Sequence, residues 1–509
     1  MSSRPHVGVI GAGLSGLRCA DLLIRNGVRV TILEARDRIG GRVHQGEIGG
    51  YPIDLGPNWI HGSGENPIMD IAEATKTIFH EPEGSNMIAS REGHFFSEEI
   101  ANKVSEFVWT TIGEAFEYSN AHADSISPEK SLLDFFMEKV QQTGFSEEDK
   151  KMCLDACKLW GAYVGDKIDR QSLKFFSLEE CIDGTNYFVA GTYKHILAHV
   201  AKAAVSHADI KLNTPIVCIE APQRDDSQSL NQQVTVSTAT GGSYTFDEVV
   251  VTCPLGWLKQ NTNAFVPSLP DRLLQAINNI SYGRLEKVIV SFPRAFWHDA
   301  TSSIDGSEKP KHPVFAQFLE PSYTDVPQGI EWNQECLSLA SFPEQHAQPT
   351  LLFYTYGPSG AHIVNQIADL DRSSAEYRTT LLEFAEPFYS RLPGYDPSSP
   401  DCVPTDVFGS CWQKDPYAGN GSYCNFQVGL TQADKDIEAL RACPGVGERR
   451  GLWFAGEHTA PFVALGTTTG AYWSGERVAA QVCEKLALGK AGTGELKGDS
   501  LPSGRKSSL

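Results

Sequence analysis

Three glycines and an acid are the first residues in this chain whose types and spacing could do chemistry. Gly11-x-Gly13-x-x-Gly16 follows an apolar run, HVGVI, and Glu34 stands eighteen residues beyond Gly16. Gly11 allows a tight turn, Gly13 lets backbone approach a pyrophosphate, and Gly16 lets a helix lie close to the preceding strand. Leu14 and Ser15 would open that helix, whose first N–H groups and positive dipole end favour phosphate. Glu34 would accept hydrogen bonds from a ribose. The spacing points to a dinucleotide without specifying which one. The stretch that follows, Glu34-Ala35-Arg36-Asp37-Arg38-Ile39-Gly40-Gly41-Arg42, sets a glycine pair between arginines. The pair permits close backbone approach to a ligand, and Arg42 can make charge-assisted hydrogen bonds to phosphate. A solvated basic turn would explain the arginines but not the doublet.

These side chains meet only if strand, helix and strand hold them. Residues 6–10 read as strand, 14–26 as helix with Gly27 past its end, and 28–34 (VRVTILE) as strand. From 95 to 200 the pattern is helical and amphipathic, with helices expected over 98–120, 130–142, 147–160 and 191–207. Strands return over 211–222 and 233–253, around a polar loop at 223–233 and the Gly241-Gly242 turn. Residues 287–292, 337–342 and 351–356 read as strands and 371–389 as a helix, while 300–350 reads as a loop-rich insertion. The last block holds the strand Gly451-Leu-Trp-Phe-Ala, then Gly456-Glu457, then a helix over 470–486.

At 509 residues the chain exceeds the roughly 250 to 300 at which single cores stop growing, so two domains are expected. A net charge of -20 disfavours nucleic acid and anionic membrane surfaces and favours a cationic ligand. The twelve cysteines show no C-x-x-C spacing or Cys/His cluster, so no metal site or disulfide framework is read. The start, MSSRPHVGVIGAG, enters a strand without a secretory pattern, and no apolar run reaches the ~18 to 20 residues of a bilayer span. A soluble cytoplasmic protein is expected, as a monomer or weak homodimer. Ser507-Ser508-Leu509, behind Arg505 and Lys506, loosely resembles the Ser-Lys-Leu peroxisomal address; a frayed tail is the alternative.

Taken together, the motifs resemble the flavin-containing amine oxidases, a family that includes monoamine, polyamine and spermine oxidases and lysine-specific histone demethylases. Five ordered blocks carry the resemblance: the GxGxxG with E-A-R-D-R-I-G-G-R; Asp54-Leu-Gly-Pro-Asn-Trp-Ile-His-Gly62; Val251-Thr-Cys-Pro-Leu-Gly-Trp-Leu258; Gly283-Arg-Leu-Glu-Lys287; and Trp412, Asp415-Pro-Tyr, Gly421-Ser-Tyr423, Phe454-Ala-Gly-Glu-His458 and Gly466-Thr-Thr-Thr-Gly470. The resemblance implies an α/β fold: a Rossmann-like FAD/NAD(P)-binding domain from 1–90, 205–285 and 405–488, and an inserted α+β substrate domain from 91–204 and 286–404. The flavin lies at their junction, and 489–509 form a disordered tail.

Roles follow from the same likeness. Lys287 matches the lysine that holds a water near flavin N5, although a lysine opening an apolar strand otherwise reads as a solvated edge residue. His61 matches a histidine near the substrate nitrogens of polyamine-type members, or else a supporting residue. Tyr423 matches one wall of an aromatic cage for the amine, and Thr467 replaces the tyrosine of the other wall. Ser422 stands where monoamine oxidases carry the cysteine that binds FAD, so non-covalent FAD is implied. Gly56, Pro57, Asn58 and Trp59 belong to the flavin-lining block. Glu457 resembles the carboxylate contact to the ribityl region, while Gly466, Thr467 and Thr468 open a helix towards the pyrimidine ring. Val217 would touch adenine through its backbone, and Trp412 would pack near the isoalloxazine.

The implied reaction passes a hydride from the carbon beside an amine to flavin N5, gives an imine that water hydrolyses to an aldehyde and a shorter amine, and yields hydrogen peroxide from oxygen. Spermine, spermidine or an N-acetylated form is the first substrate reading. Another amine, whether a monoamine, an amino acid or a secondary metabolite, is the second. Histone lysine demethylation has less support, since neither a helical domain before the GxGxxG nor a coiled-coil insertion is read.

Overall fold

The computed structural model describes residues 4–82, 84–224, 232–299, 313–343 and 345–488. The tail expected to be disordered, with its Ser507–Leu509 address, lies outside the described residues, as do parts of the 223–233 loop and of 300–350.

Strand His6–Ile10 sits at the centre of a five-stranded parallel sheet in the order 452–454, 248–251, 6–10, 29–33, 209–211. Its three central strands are nearly continuous aliphatic runs because both faces are covered. Helices Leu14–Arg25, Lys194–His207 and Thr468–Lys485 bury Leu17, Leu23, Ile196, Val200 and Val478 on one face. A four-stranded sheet with helices Asp271–Asn279 and Ala433–Ala442 buries Ile219, Phe246, Leu273 and Leu440 on the other. A Cβ at position 16 would stand 2.1 Å from the Gly11 carbonyl oxygen, so only glycine lets helix Leu14–Arg25 approach the turn. The third helix crosses equally close, with the Ser15 and Ser474 hydroxyls bonded at 2.9 Å.

The second unit is a six-stranded sheet in the order 406–409, 285–291, 350–356, 334–338, 313–318, 85–89, antiparallel except for the last pair. Alternation sorts its faces. Val288, Val290, Leu351 and Phe353 pack with Leu381, Phe384 and Phe388 of helix Ala375–Tyr389, whereas Ile289, Leu352, Tyr354 and Tyr356 form a core on the opposite face, the one that carries Lys287. Helices Glu98–His122, Leu132–Gln141 and Glu147–Cys157 close the unit, begun by Ser97, Ser131 and Ser146, whose side chains accept backbone N–H groups. No helix among the described residues is long and apolar enough to cross a membrane.

Several boundaries differ from the sequence expectation. The strand expected at 337–342 runs Gln334–Ser338 and gives way to a short 3₁₀ turn, and Pro313–Phe318 is a strand within the supposed loop-rich insertion. Both hold polar residues (Gln317, Gln334, Glu335) where a core strand would be apolar, which masked them. Helix Gly357–Ile367 was not anticipated, and the next helix begins at Ala375 rather than 371. Strands Ser85–Ala89 and Asp406–Gly409 pair within the large sheet, although the expected borders at 90 and 405 group them with the parallel sheet, and the border at 204 cuts helix Lys194–His207, which packs on the parallel sheet.

Candidate active site

Gly13 caps helix Leu14–Arg25 with extended backbone and no side-chain hydrogen bond, and nothing stands within 4 Å of where a Cβ on it would lie. The helix's first N–H groups therefore open onto free space, the geometry a pyrophosphate requires. Beside it, the buried Glu34 carboxylate accepts from Ala12 N at 2.7 Å and Arg36 N at 2.8 Å. Two donors orient the carboxylate and leave lone pairs for ribose hydroxyls. Glu34, Ala35, Arg36, Gly11 and Gly41 line a pocket of about 110 Å³ together with Thr214, Pro215, Ile216, Thr252, Cys253 and Pro254. A cavity of about 1540 Å³ shares Gly13, Arg42 and Thr252 with it, so the two form one elongated cleft. A small pocket leading past a helix N-terminus into a large chamber suits an elongated ligand with a phosphate near its middle.

Arg42 holds the junction: its Nη1 donates to Glu457 Oε1 at 3.0 Å and to the Tyr282 hydroxyl at 3.2 Å, and also to the Ser422 carbonyl. Burial alone would raise Glu457, but Arg42, with help from His458 and a hydrogen bond from Cys424, outweighs it, so its carboxyl lies below the ordinary carboxylate range and is ionised. Thr467 caps helix Thr468–Lys485, accepting from Gly470 N at 2.9 Å, and with Thr468 faces the chamber.

Lys287 lies on strand Leu285–Ser291, 5% exposed, and its Nζ donates to the carbonyls of Asp54 (3.2 Å) and Gly56. Burial pushes its ammonium well below the usual lysine range and pushes the neighbouring Asp54 carboxyl up. A lysine of this kind exchanges a proton near neutral pH. The next residue back, Glu286, points the other way and accepts from the Ser410 hydroxyl, from Trp412 N at 3.1 Å and from Gln413 N at 2.7 Å, thereby fixing the turn that carries Trp412 into the chamber. Trp412 Nε1 in turn donates to Leu55 O at 3.1 Å. His61 lines the chamber near Asn186, and burial holds its imidazole down to about 4, so it is neutral at pH 7.

Aromatic rings and acids complete the wall. Tyr423 donates to Tyr163 O at 2.7 Å; Tyr163 stacks on Trp160 with centroids 4.5 Å apart, and Trp109 packs edge-on at 5.9 Å. Glu81, Glu117, Glu179, Glu180, Asp183 and Glu335 also face the chamber. Burial pushes the carboxyls of Glu179 and Glu335 up to about 8 and about 7.

Leu14, Ser15, Gly40, Gly56, Pro57, Asn58, Trp59, Gly466 and the residues described above thus line the cleft, but two do not. Gly16 acts behind it as the helix–turn contact. The Val217 side chain is 52% exposed and turns away, and Thr214, Pro215 and Ile216, just before it, line the wall; the contact expected of Val217 is through its backbone and does not depend on the direction of its side chain. Sequence reasoning missed Trp109, Trp160, Tyr163 and the acids, which come from the helical layer and the large sheet and carry no motif. Thr252, Cys253 and Pro254 had a signal, the V-T-C-P block, without an assigned role.

Residues 14–483 match the model of a family described as flavin containing amine oxidoreductase. The chain is similar to Probable polyamine oxidase 4 of Arabidopsis thaliana, 30% identical over 308 residues, which are 58% of this chain and 59% of that protein; the match thus spans about three fifths of that relative's length. Polyamine oxidase 4 of Oryza sativa subsp. japonica is 27% identical over 97% of this chain and 92% of its own. Lysine-specific histone demethylase 1 homolog 2 of Oryza sativa subsp. japonica is 25% identical over 93% of this chain and 56% of its own.

Proposed function

The chain belongs to the flavin containing amine oxidoreductases, and from that membership we propose that it holds FAD without a covalent bond and oxidises a carbon–nitrogen bond of a polyamine. The observation that carries the substrate reading is the charge of the chamber. Six carboxylic acids, Glu81, Glu117, Glu179, Glu180, Asp183 and Glu335, line it, of which burial favours the protonated form of Glu179 and Glu335 until a cation is bound, while its basic residues among those described are Lys287 and Arg42, the latter paired with Glu457. A long, acidic, aromatic-walled space suits an extended cation. An amino acid would need an unpaired arginine for its carboxylate, and the wall presents none among the described residues.

Gly13 and the helix behind it would take the pyrophosphate, Glu34 the ribose, Arg42 and Glu457 the middle of the cofactor, and Thr467 and Thr468 the far ring. Ser422 presents a hydroxyl that accepts from Leu285 N at 3.2 Å, and so offers no thiol for covalent attachment. The bound flavin supplies the hydride acceptor and the reaction with oxygen. The chain's own residues do the rest. Tyr423 and its neighbours hold the amine, neutral His61 accepts a hydrogen bond or a proton from the nitrogen, and Lys287 Nζ, held by two carbonyls, orients a water and moves a proton at the reacting edge. The aromatic wall keeps bulk water out.

The demethylase relatives, which match 93% of the chain, favour a second reading in which the amine is the methylated lysine of a peptide. Hydrogen peroxide formation across a panel of spermine, spermidine, N-acetylated polyamines, arylalkyl amines, amino acids and a methyl-lysine peptide separates the two. The polyamine reading requires the fastest turnover with a polyamine and fails if only another class reacts.

A further inference from the structure

One row of side chains crosses four strands of the large sheet at the floor of the chamber. Lys287 is the register partner of Tyr354. Cys336 pairs with Phe353, so one step further along that antiparallel ladder Glu335 stands level with Tyr354, and Gln317 is in turn the partner of Glu335. Partners directly opposite one another project from the same face, and Lys287, Tyr354 and Glu335 all line the chamber. With strands about 4.8 Å apart, Glu335 is rooted on the order of 10 Å from Lys287, with the Tyr354 ring between them. The Lys287 Nζ lies 6.0 Å from the centre of that ring.

Glu335 is built as a receptor for a cation. It is 6% exposed, and Gln317 Nε2 donates to its Oε2 at 2.7 Å, fixing the direction in which the carboxylate points. Among the described residues no basic side chain pairs with it. A buried acid without a counter-charge is costly unless a ligand supplies one, and its raised titration range is consistent with that vacancy of charge. It is rooted two strands away from Lys287 on the same face, with Tyr354 between them, so both side chains border one stretch of the chamber.

We propose that Glu335 is a specificity-determining residue that binds the second, protonated nitrogen of the substrate, one carbon spacer away from the nitrogen under oxidation, and so selects di- and polyamines over monoamines of equal bulk. The inference rests on the reading of Lys287 as the reaction centre. The phenol of Tyr354 forms the floor of the spacer between the two sites, and its hydroxyl is already engaged with the Trp59 Nε1 (3.0 Å) and Asn58 (3.2 Å), leaving the ring face for methylene groups.

The test uses the flavin-loaded full chain and anaerobic flavin reduction by two amines of equal bulk in which a terminal amino group is exchanged for a methyl, N-butyl-1,3-diaminopropane and dibutylamine. A charge-assisted hydrogen bond to the second nitrogen gives the native protein a preference for the diamine of about tenfold to a hundredfold in kcat/KM. Glu335→Gln, with the carboxylate charge removed and the shape kept, lowers that ratio to within about threefold of unity, and Glu335→Asp restores part of it with a shift towards the longer N-butyl-1,4-diaminobutane. A preference that survives Glu335→Gln at native flavin content, or a native protein that reduces equally fast with both amines, overturns the role of Glu335 alone. A native protein that no amine reduces overturns the reading of the site together with it.

Discussion

Lys287→Met separates the chemistry of the site from its architecture. Methionine keeps an unbranched chain of similar length, so the chamber retains its shape while Nζ disappears. Two hydrogen bonds go with it, to the carbonyls of Asp54 and Gly56, each contributing about 0.5 to 1.5 kcal/mol. Set against that loss, the variant no longer buries an ionisable amine that burial already drives below its usual range. Net stability should therefore change by no more than about 2 kcal/mol. Flavin content should hold, because the proposed cofactor contacts at Gly13, Glu34 and Arg42 are untouched. A positioned proton-transfer group contributes about 10² to 10⁴ in rate, or about 3 to 5 kcal/mol of barrier, so turnover should fall far more than stability. Stopped-flow absorbance measures the two halves separately, bleaching by spermine without oxygen and recovery on mixing with oxygen, beside a thermal melt of the same preparation. If both half-reactions of Lys287→Met run within about threefold of native, the group has no part in proton transfer and the reasoning is wrong.

Three further outcomes are expected. Gly16→Ala sets a Cβ 2.1 Å from Gly11 O and 3.0 Å from Thr252 Oγ1, and since backbone must yield it should cost about 1 to 3 kcal/mol and weaken FAD binding, read from flavin retention on dilution and from the melting temperature. Glu286→Ala leaves the buried Ser410 hydroxyl and the partly buried Trp412 and Gln413 N–H groups without their acceptor, a loss of about 1 to 4 kcal/mol in urea unfolding. For pH, the Glu335 carboxyl is held up to about 7 against an ordinary 4.5. The folded state thus favours the protonated form, and this contribution is complete below the ordinary value and lost as pH rises through 7. Between pH 5 and 8 the substrate-free protein should lose about 1 to 3 kcal/mol through this group, and Glu335→Gln should flatten the slope; an unchanged slope contradicts the assignment.

The legible half of the molecule is the half whose backbone serves a ligand. Gly11, with its positive φ, and Gly16, against the Gly11 carbonyl, have no alternatives within the fold, and Gly13 keeps open the space a ligand would take, so their spacing betrayed strand, turn and helix together, and Glu34 followed at the distance that a second strand imposes. The substrate chamber is built otherwise. Tyr163, Trp160 and Glu179 stand on short turns, and Glu335 on a strand whose neighbours are nearly all buried. Their roles come from which strands and turns lie side by side, and strand order leaves no periodicity in a sequence. The expectation of a loop at 300–350 failed for the same reason over its described strands, since paired strands that turn Gln317 and Glu335 inwards mimic a polar loop.

The central claim is that an amine gives its electrons to a flavin beside Lys287. The most direct test is anaerobic titration of the purified protein with spermine, followed at the flavin absorbance, with release of the cofactor by acid to identify it. The account predicts complete bleaching at stoichiometric amine, recovery of the yellow colour with hydrogen peroxide when oxygen is admitted, and intact FAD in the supernatant. A protein that carries no flavin, or a bound flavin that stays oxidised with every polyamine, would contradict it.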